Sequence, residues 1–289
     1  MSDRHTIANG YLSATVRSNG AELCSLQDAT GQEMLWQAGP EWPRHAPVLF
    51  PIVGELRDQT LRVDGHDYRI GRHGFARDRG FAWGARTATS CRLVLHDDPQ
   101  TRAMFPFGFR LSLDYTLTDD ALEVTYTIAN TGAAVLPCSA GAHPAFRWPL
   151  ADGADKSDHV LEFEVEEPEP IWRLDRNGLL LPNPAPTPVI GNRLSLDPDL
   201  FDADAIVMQR PRSRSLRYAA PGAPTIEVSW EGFRDLGIWS KPGADFLCIE
   251  PWYGTASPAD FDGAFRDKPG LMLIPPGDRR VLIYRIRFC

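Results

Sequence analysis

The sequence lacks any long apolar run. No stretch of the 289-residue chain approaches the roughly 18 consecutive apolar residues that a membrane-spanning helix needs. The opening residues, MSDRHTIANG, contain no apolar segment of the kind found in secretory signals. We therefore expect a protein that stays in the cytoplasm and has no membrane partner.

Cysteine is scarce and poorly placed for cross-links. The five cysteines are scattered, and no CxxC pair occurs. This pattern disfavours a disulfide scaffold and a cysteine zinc site, and it suits buried thiols in a reducing compartment. HxH and HExxH spacings are missing too, and the histidines lie in separate segments, so we expect no metal site.

Several functional signatures are also missing. The chain contains no GxGxxG or GxxxxGK[ST] loop for phosphates and no GxSxG nucleophile elbow. Its net charge is −8, which disfavours binding to nucleic acid. The arginine-rich stretches Arg210–Arg217 and Arg279–Arg287 alternate with apolar or small residues, so they indicate solvated strand faces rather than a basic surface.

The pattern that is present has a period of two. Alternating runs at Arg110–Leu117 and Leu122–Ile128, joined by Thr118-Asp119-Asp120, predict a hairpin. Similar runs predict further strands at Leu12–Val16, Leu93–Leu95, Leu161–Val165, Leu216–Tyr218, Ile226–Trp230, Phe246–Ile249 and Val281–Phe288. With 25 prolines and 24 glycines to limit helix length, the chain is predicted to be an all-β sandwich or barrel. No repeat or long linker divides it, so we expect one domain over residues 1–289.

Four segments place titratable side chains among aromatic residues and prolines. They are Trp42–Pro51, Gly71–Asp78, Gly141–Pro149 and Cys248–Gly254. Flat aromatic rings can cover the C–H faces of a pyranose while charged groups bond its hydroxyls. The segments therefore suggest a sugar site.

Glu250 is the most informative residue of these segments. It follows an apolar run and precedes a proline, so we expect it at a strand end, walled by Trp252 and Tyr253. A carboxylate held partly out of water has a raised proton affinity, which suits a general base. The alternative is a structural glutamate that caps backbone donors or pairs with an arginine.

His143 is the candidate proton donor. Pro144 favours an extended backbone at His143, and the ordinary pKa of about 6.5 suits proton exchange at cellular pH. The alternative is a hydrogen-bonded core histidine. His73 and Arg77 flank Gly74 and could converge on one ligand, or they could simply pin a turn.

The four segments together resemble the galactose mutarotase-like superfamily, which contains the aldose 1-epimerases and hexose-6-phosphate 1-epimerases. The bacterial branch with RHAPVLFP, HGFARD, HPAF and IEPW stretches is the most similar, and these stand here at 44–51, 73–78, 143–146 and 249–252. The tail that begins at Asp267-Lys268-Pro269-Gly270 is similar as well. The resemblance covers nearly the whole chain in the same order.

The resemblance implies a large antiparallel β-sandwich with a site on a sheet face. It implies that Glu250 acts as base and His143 as acid in opening a sugar ring, without a metal or cofactor. The implied substrate-binding residues are Arg44, His73, Arg77, Asp204 and Trp252. Asp202 competes closely with Asp204 for its role.

Three alternatives stay open beside an aldose 1-epimerase. A hexose-6-phosphate 1-epimerase would need cations for the phosphate, which Arg44 and Arg77 could supply. A non-catalytic sugar-binding protein could use the same fold. A glycosidase would need a second carboxylate in a setting as convincing as that of Glu250. In every one of these hypotheses the binding partner is a small-molecule sugar. The sequence does not indicate the oligomeric state.

Overall fold

The computed structural model describes residues 3–289. Strands account for 44% of the chain and helices for 7%, which confirms the all-β prediction. Within residues 3–289, no helix has both the length and the apolar character needed to cross a membrane.

Twenty-one strands occur within the described residues. The first eleven are β1 (Arg4–Ala8), β2 (Leu12–Arg17), β3 (Leu23–Asp28), β4 (Thr60–Val63), β5 (His66–Arg69), β6 (Ala82–Arg86), β7 (Ser90–His96), β8 (Phe109–Thr118), β9 (Ala121–Asn130), β10 (Leu136–Cys138) and β11 (Ala140–Gly141). The other ten are β12 (Ala145–Arg147), β13 (Val160–Phe163), β14 (Arg193–Ser195), β15 (Ile206–Met208), β16 (Ser215–Ala219), β17 (Ile226–Glu231), β18 (Asp235–Trp239), β19 (Phe246–Tyr253), β20 (Met272–Ile274) and β21 (Arg279–Phe288).

Helical structure is limited to single turns. One α-helical turn, α1, covers Pro99–Arg102. The described residues also contain 3₁₀ turns at Arg57–Gln59, Ala76–Asp78, Lys156–Asp158, Pro198–Phe201 and Phe265–Asp267. Proline and glycine are frequent throughout, and they stop longer helices from forming.

The strands pair in antiparallel fashion. A nine-stranded sheet has the order β14-β13-β16-β17-β21-β9-β8-β7-β6, and a five-stranded sheet has the order β11-β19-β18-β15 with β12 also paired to β19. Within residues 3–289 the smaller sheets are β1-β2-β3, β4-β5 and β10-β20. The β8–β9 hairpin pairs Phe109 with Asn130 through to Thr118 with Ala121, which confirms the predicted turn at Asp119-Asp120.

The main core fills the space between the two large sheets. Leu111 and Tyr126 from the nine-stranded sheet belong to the same buried cluster as Leu247 and Ile249 of β19. Because side chains alternate along a strand, the neighbouring residues of β19 face the other way. That outer face carries Phe246, Cys248, Glu250 and Trp252.

The strand that carries Glu250 is longer than the sequence indicated. We expected a strand end at Glu250, but β19 continues to Tyr253. Proline in a central strand normally breaks a ladder, because it has no N–H to donate. Here Pro251 lies beside the gap between β11 and β12, where its carbonyl accepts the N–H of Ala142 and no donor is needed.

Candidate active site

A pocket of about 170 Å³ opens on the outer face of the five-stranded sheet. Six of the seven predicted site residues line it: His73, Arg77, His143, Asp204, Glu250 and Trp252. The remaining wall is formed by Trp42, Gly54, Arg72, Leu174, Gly178, Ala205, Val207, Trp239 and Ala256. Arg44, the seventh, is not part of the wall.

Backbone contacts bring the distant segments together. Leu49 exchanges two backbone hydrogen bonds with Gly141, which ties the first segment to β11. The carbonyl of Phe50 accepts the N–H groups of Phe75 and Ala76, which ties it to the second segment. The close approach requires Gly74, because a Cβ there would lie 2.3 Å from the Phe50 carbonyl oxygen.

His73 is held as a neutral hydrogen-bond donor. Its backbone N–H donates to the carbonyl of Gly54, and its Nδ1 accepts the N–H of Gly54 at 3.1 Å. That bond assigns the ring proton to Nε2. Burial lowers the pKa of His73 well below its ordinary value, and electrostatic interactions with the His143 imidazole and with the positive charge of Arg77 lower it further. The ring can therefore donate one N–H to a hydroxyl.

Glu250 and His143 form a close pair. Oε2 of Glu250 lies 3.1 Å from Nε2 of His143, and the two residues are 1% and 7% exposed. His143 sits in the gap between β11 and β12, opposite the middle of β19. The two groups are thus near enough to contact neighbouring atoms of one small molecule.

Burial shifts the two pKa values in opposite directions. It raises the pKa of Glu250 well above its ordinary value; a hydrogen bond with Trp252 opposes the rise, and the charge of Asp204 adds to it. It lowers the pKa of His143 to about 3, with a further contribution from the positive charge of Arg77. Because burial favours the neutral form of both groups, a single proton shared by the pair lies on the carboxyl group.

Some buried polar atoms of the wall are incompletely hydrogen-bonded by the protein. Within residues 3–289, Nδ1 of His143 has no hydrogen-bond partner, and Nε of Arg77 has only the carboxylate of Asp78 at 3.7 Å. Leaving buried polar atoms poorly paired is costly, so such a cluster calls for an explanation. Polar atoms of this kind, gathered beside the Glu250 carboxyl group, suit a ligand rich in hydroxyl groups.

Two tryptophans that the sequence did not single out as site residues enclose His143. The ring of Trp42 stacks on it at 5.1 Å, and Trp239 meets it edge-on at 5.8 Å. Trp42 is the first residue of the Trp42–Pro51 segment, so its place among aromatic and titratable residues could have identified it from the sequence. Trp239 ends an apolar strand and belongs to no motif, so only the pairing of β18 with β19 reveals its place.

Trp252 rests on two glycines of the neighbouring strands. A Cβ on Gly141 would lie 2.5 Å from Cδ1 of the indole, and one on Gly237 would lie 2.3 Å from Cη2. Both distances are far below contact distance. The bare backbone of β11 and β18 therefore makes room for this ring against the sheet.

Three arginines concentrate positive charge at one end of the pocket. Arg77 donates to the carbonyl of Arg72, and burial, followed by the charge of Arg44, lowers its pKa. Nε of Arg72 lies 3.5 Å from Glu55. Arg44 is held by Asp78 at 2.9 Å and is not among the wall residues, so its contact with a substrate stays a prediction.

The structure separates the two competing aspartates. Asp204 lines the pocket, whereas Asp202 is exposed and outside the wall. The backbone of Asp204 has a φ of 63°, a left-handed conformation that Asp tolerates better than most residues. Arg173 donates to its carbonyl at 2.7 Å and holds it there.

Two clusters of His, Cys and carboxylate groups have metal-like spacing. His143, Cys248 and Glu250 offer atoms within 4.8 Å of one another. Burial keeps the Cys248 thiol protonated, since it raises the pKa well above the ordinary value, and Arg77 adds positive charge nearby. In the second cluster, Glu22 is already occupied by Arg17 and by backbone N–H groups.

Comparison with known proteins shows similarity along the chain. Residues 3–267 match the family model described as Aldose 1-epimerase. The chain is 31% identical over 291 residues to Protein LacX, chromosomal, of Lactococcus lactis subsp. lactis, and the match covers 97% of each.

Solved structures agree in fold. A galactose mutarotase-like protein from Lactobacillus casei superposes with a TM-score of 0.92 at 29% identity, covering 99% of this chain and all of that one. A galactose mutarotase related enzyme from Lactobacillus acidophilus gives 0.89 at 29% identity, covering 99% and 97%. The predicted large antiparallel sandwich of the mutarotase-like type is thereby confirmed.

Proposed function

This chain belongs to the aldose 1-epimerase family, and from that premise we propose that it interconverts the α and β anomers of a hexose. The reaction is an isomerisation by acid–base opening of the pyranose ring. We assign Glu250 as the base and His143 as the acid. The observation that carries the proposal is the 3.1 Å contact between these buried groups at the pocket wall.

The distance suits the chemistry of a hemiacetal. Its hydroxyl oxygen O1 and its ring oxygen O5 are bonded to the same carbon, so a base for one and an acid for the other must lie side by side. Glu250 takes the proton of O1 while His143 gives a proton to O5, and the C1–O5 bond breaks. Each positioned proton transfer contributes roughly 10²–10⁴-fold to the rate.

The aldehyde then turns about C1–C2 and closes on its other face, with the roles reversed. Before opening, the proton of the pair must sit on His143, which requires its transfer from Glu250 across their contact. A hydrogen bond from O1 to the carboxylate stabilises that form. After opening, the proton is back on Glu250, the form that burial favours.

The other wall residues would bind and orient the sugar. Nε2–H of His73 and the guanidinium of Arg77 donate to hydroxyls, and Asp204 accepts from one. Trp252 supplies an apolar ring face, and its indole N–H lies beside the Glu250 carboxyl group. Holding the ring in place lowers the entropic cost of the reaction.

A hexose 6-phosphate is the second candidate substrate. The specific observation is the group of guanidinium ions formed by Arg44, Arg72 and Arg77, whose charges act on one another across one end of the pocket. Arginine is well suited to bind phosphate. Glu55 and Asp78 offset part of this charge, and for that reason the free sugar stays the first choice.

We also propose a cytoplasmic location. All five cysteines are free thiols, and four are buried. Burial raises the pKa of Cys24 to about 11 and that of Cys91 to about 12, so both stay protonated and inert. Such thiols suit a reducing compartment.

Optical rotation tests the proposal directly. We would follow freshly dissolved α-glucose, α-galactose and α-glucose 6-phosphate with the wild type, Glu250→Gln and His143→Asn. We expect the wild type to speed the approach to anomeric equilibrium, and each variant to lose about 10²-fold or more in kcat/KM.

The substrates separate the alternatives. A response to the phosphate ester alone would make that ester the substrate. If the wild type binds a sugar, seen as a change in tryptophan emission, but accelerates none, the chain is a sugar-binding protein and the catalytic assignment is wrong.

A further inference from the structure

Lys268 is a buried lysine that the proposed reaction does not use. Lysine occurs three times in the chain, at Lys156, Lys241 and Lys268. Lys241 is exposed and Lys156 partly so, but Lys268 is only 4% exposed. Burial of an ammonium group is costly unless its donors are met, so its surroundings matter.

The Lys268 side chain donates a hydrogen bond to a backbone carbonyl just beyond the end of β19. Nζ donates to the carbonyl of Thr255 at 2.7 Å and approaches that of Pro269 at 3.4 Å. Burial lowers the pKa of Lys268 to about 7; the negative charge of the fully buried Asp235 opposes that shift, and Arg234 adds to it. The amine keeps N–H donors in both protonation states. Asp235 also accepts the N–H of Gly254. Asp235 and Lys268 together therefore hold the N–H of Gly254 and the carbonyl of Thr255.

The residues Gly254–Ser257, here called the junction segment, tie three parts of the pocket together. The N–H of Ser257 donates to the carbonyl of Glu55, and its carbonyl accepts the N–H of Leu180. Ala256 lines the pocket and packs on Gly54, where an added Cβ would lie 2.6 Å from its own. Gly54 in turn holds the ring of His73.

We propose that Lys268 is a positioning residue for the substrate pocket, acting through the junction segment. Its ammonium fixes the carbonyl of Thr255, and that holds Ala256 against Gly54 and Ser257 between Glu55 and Leu180. The wall that carries His73 is thereby kept in place. This role in catalysis rests on the proposed epimerase function, whereas its effect on the segment itself does not.

A compact ammonium suits this place. It carries three donors on one nitrogen and can meet carbonyls from different directions, whereas a guanidinium is a flat fork that needs more room. Glutamine at the same position keeps an N–H donor without the charge. Methionine keeps the length and removes the donors.

The test compares Lys268→Met and Lys268→Gln with a matched control, Lys156→Met. Lys156 also donates to a backbone carbonyl, that of Ala244 at 2.7 Å, but this carbonyl is not in the pocket wall. Amide hydrogen exchange at Ser257 and Leu180 reports on the junction segment without any need for activity. Kinetics of anomer interconversion report on the pocket.

We expect Lys268→Met to speed exchange at Ser257 and Leu180 about tenfold, with the β8–β9 hairpin unchanged. We expect KM for the sugar to rise more than kcat falls, since binding contacts loosen while Glu250 and His143 stay on β19 and its neighbours. Lys268→Gln should recover part of both effects, and Lys156→Met should show neither.

Unchanged exchange in Lys268→Met, or equal effects of all three substitutions, would overturn the proposal. So would failure of both Lys268 variants to fold while Lys156→Met folds, since that indicates a general core role. If the wild type proves inactive, the epimerase proposal fails, and the exchange measurements still decide the role of Lys268 in the segment.

Discussion

At the scale of single residues, the pocket is defined by how water is excluded from Glu250 and His143. An exposed glutamate and histidine, with ordinary pKa values of 4.5 and 6.5, share a single proton only between those values. Burial reverses the order, because it favours the neutral form of each group. The pair in this chain therefore keeps its one proton over a wider range of pH.

This reversal predicts the pH profile. Below a pH of about 3, His143 gains a second proton and the pair has no base. As the pH rises through the elevated pKa of Glu250, the pair loses its last proton and has no acid. We expect the acid limb of kcat/KM for anomer interconversion to lie near pH 3, below the ordinary glutamate value of 4.5, and the profile to stay level from about pH 4 up to the elevated pKa of Glu250.

The measurement is polarimetry across this range, corrected for the uncatalysed rate, with circular dichroism at each pH to show that the protein stays folded. A narrow bell with limbs near 4.5 and 6.5 would contradict the prediction, because it would mean that the pair titrates as exposed groups do.

At the scale of elements, β18 and β19 build the floor of the pocket. Gly237 lies directly opposite Glu250 in their register, and its missing side chain leaves space for the Trp252 ring. A larger residue at this place would push the ring away from the sheet. The position of Trp252 thus depends on a glycine that is distant in sequence.

Gly237→Ala tests this arrangement. The new Cβ would lie 2.3 Å from Cη2 of Trp252, so the indole must move. A displacement of about 1 Å in a substrate-contacting group can cost about 10²-fold in rate. We expect kcat/KM to fall by about that factor and the tryptophan emission maximum to shift, as measured by polarimetry and fluorescence.

Gly10→Ala is the control, since no heavy atom lies within 4 Å of a Cβ added there. It should leave activity and emission unchanged. If Gly237→Ala keeps full activity, the packing of Trp252 against Gly237 of β18 is not required for function.

At the scale of the whole molecule, one apolar cluster connects the ends of the chain. It includes Ile7 of β1, Ile238 of β18 and Ile286 of β21, which belong to three different sheets. A shared core of this kind favours unfolding in a single step. The single domain over residues 1–289 stays a prediction, and it can be tested by this behaviour.

We expect Ile7→Ala, Ile238→Ala and Ile286→Ala each to lower the free energy of unfolding by about 2–5 kcal/mol. In denaturant titrations, each should shift one common transition seen by both fluorescence and circular dichroism. Ile190→Ala is the control, because Ile190 is 85% exposed and should change stability by less than about 0.5 kcal/mol.

Two transitions, only one of which moves with each variant, would mean that the chain folds as separate units. The single-domain prediction would then be wrong. Coincident transitions in all three variants would support it.

The sequence by itself determined the features that depend on neighbouring residues. Alternation along Arg110–Ile128 predicted the β8–β9 hairpin, because the pleat places every second side chain on one face. The motifs that contain His73, Arg77, His143 and Glu250 indicated a sugar site through residue type alone. No partner strand had to be known for either.

Only the tertiary structure decided which distant groups meet. It extended β19 past Glu250, chose Asp204 over Asp202 for the wall, added Trp239, and left Arg44 paired with Asp78 outside it. Burial in the assembled pocket also lowers the pKa of His143. The physical reason is the same in each case: register between strands, burial and charge neighbours arise from parts of the chain that are far apart in sequence.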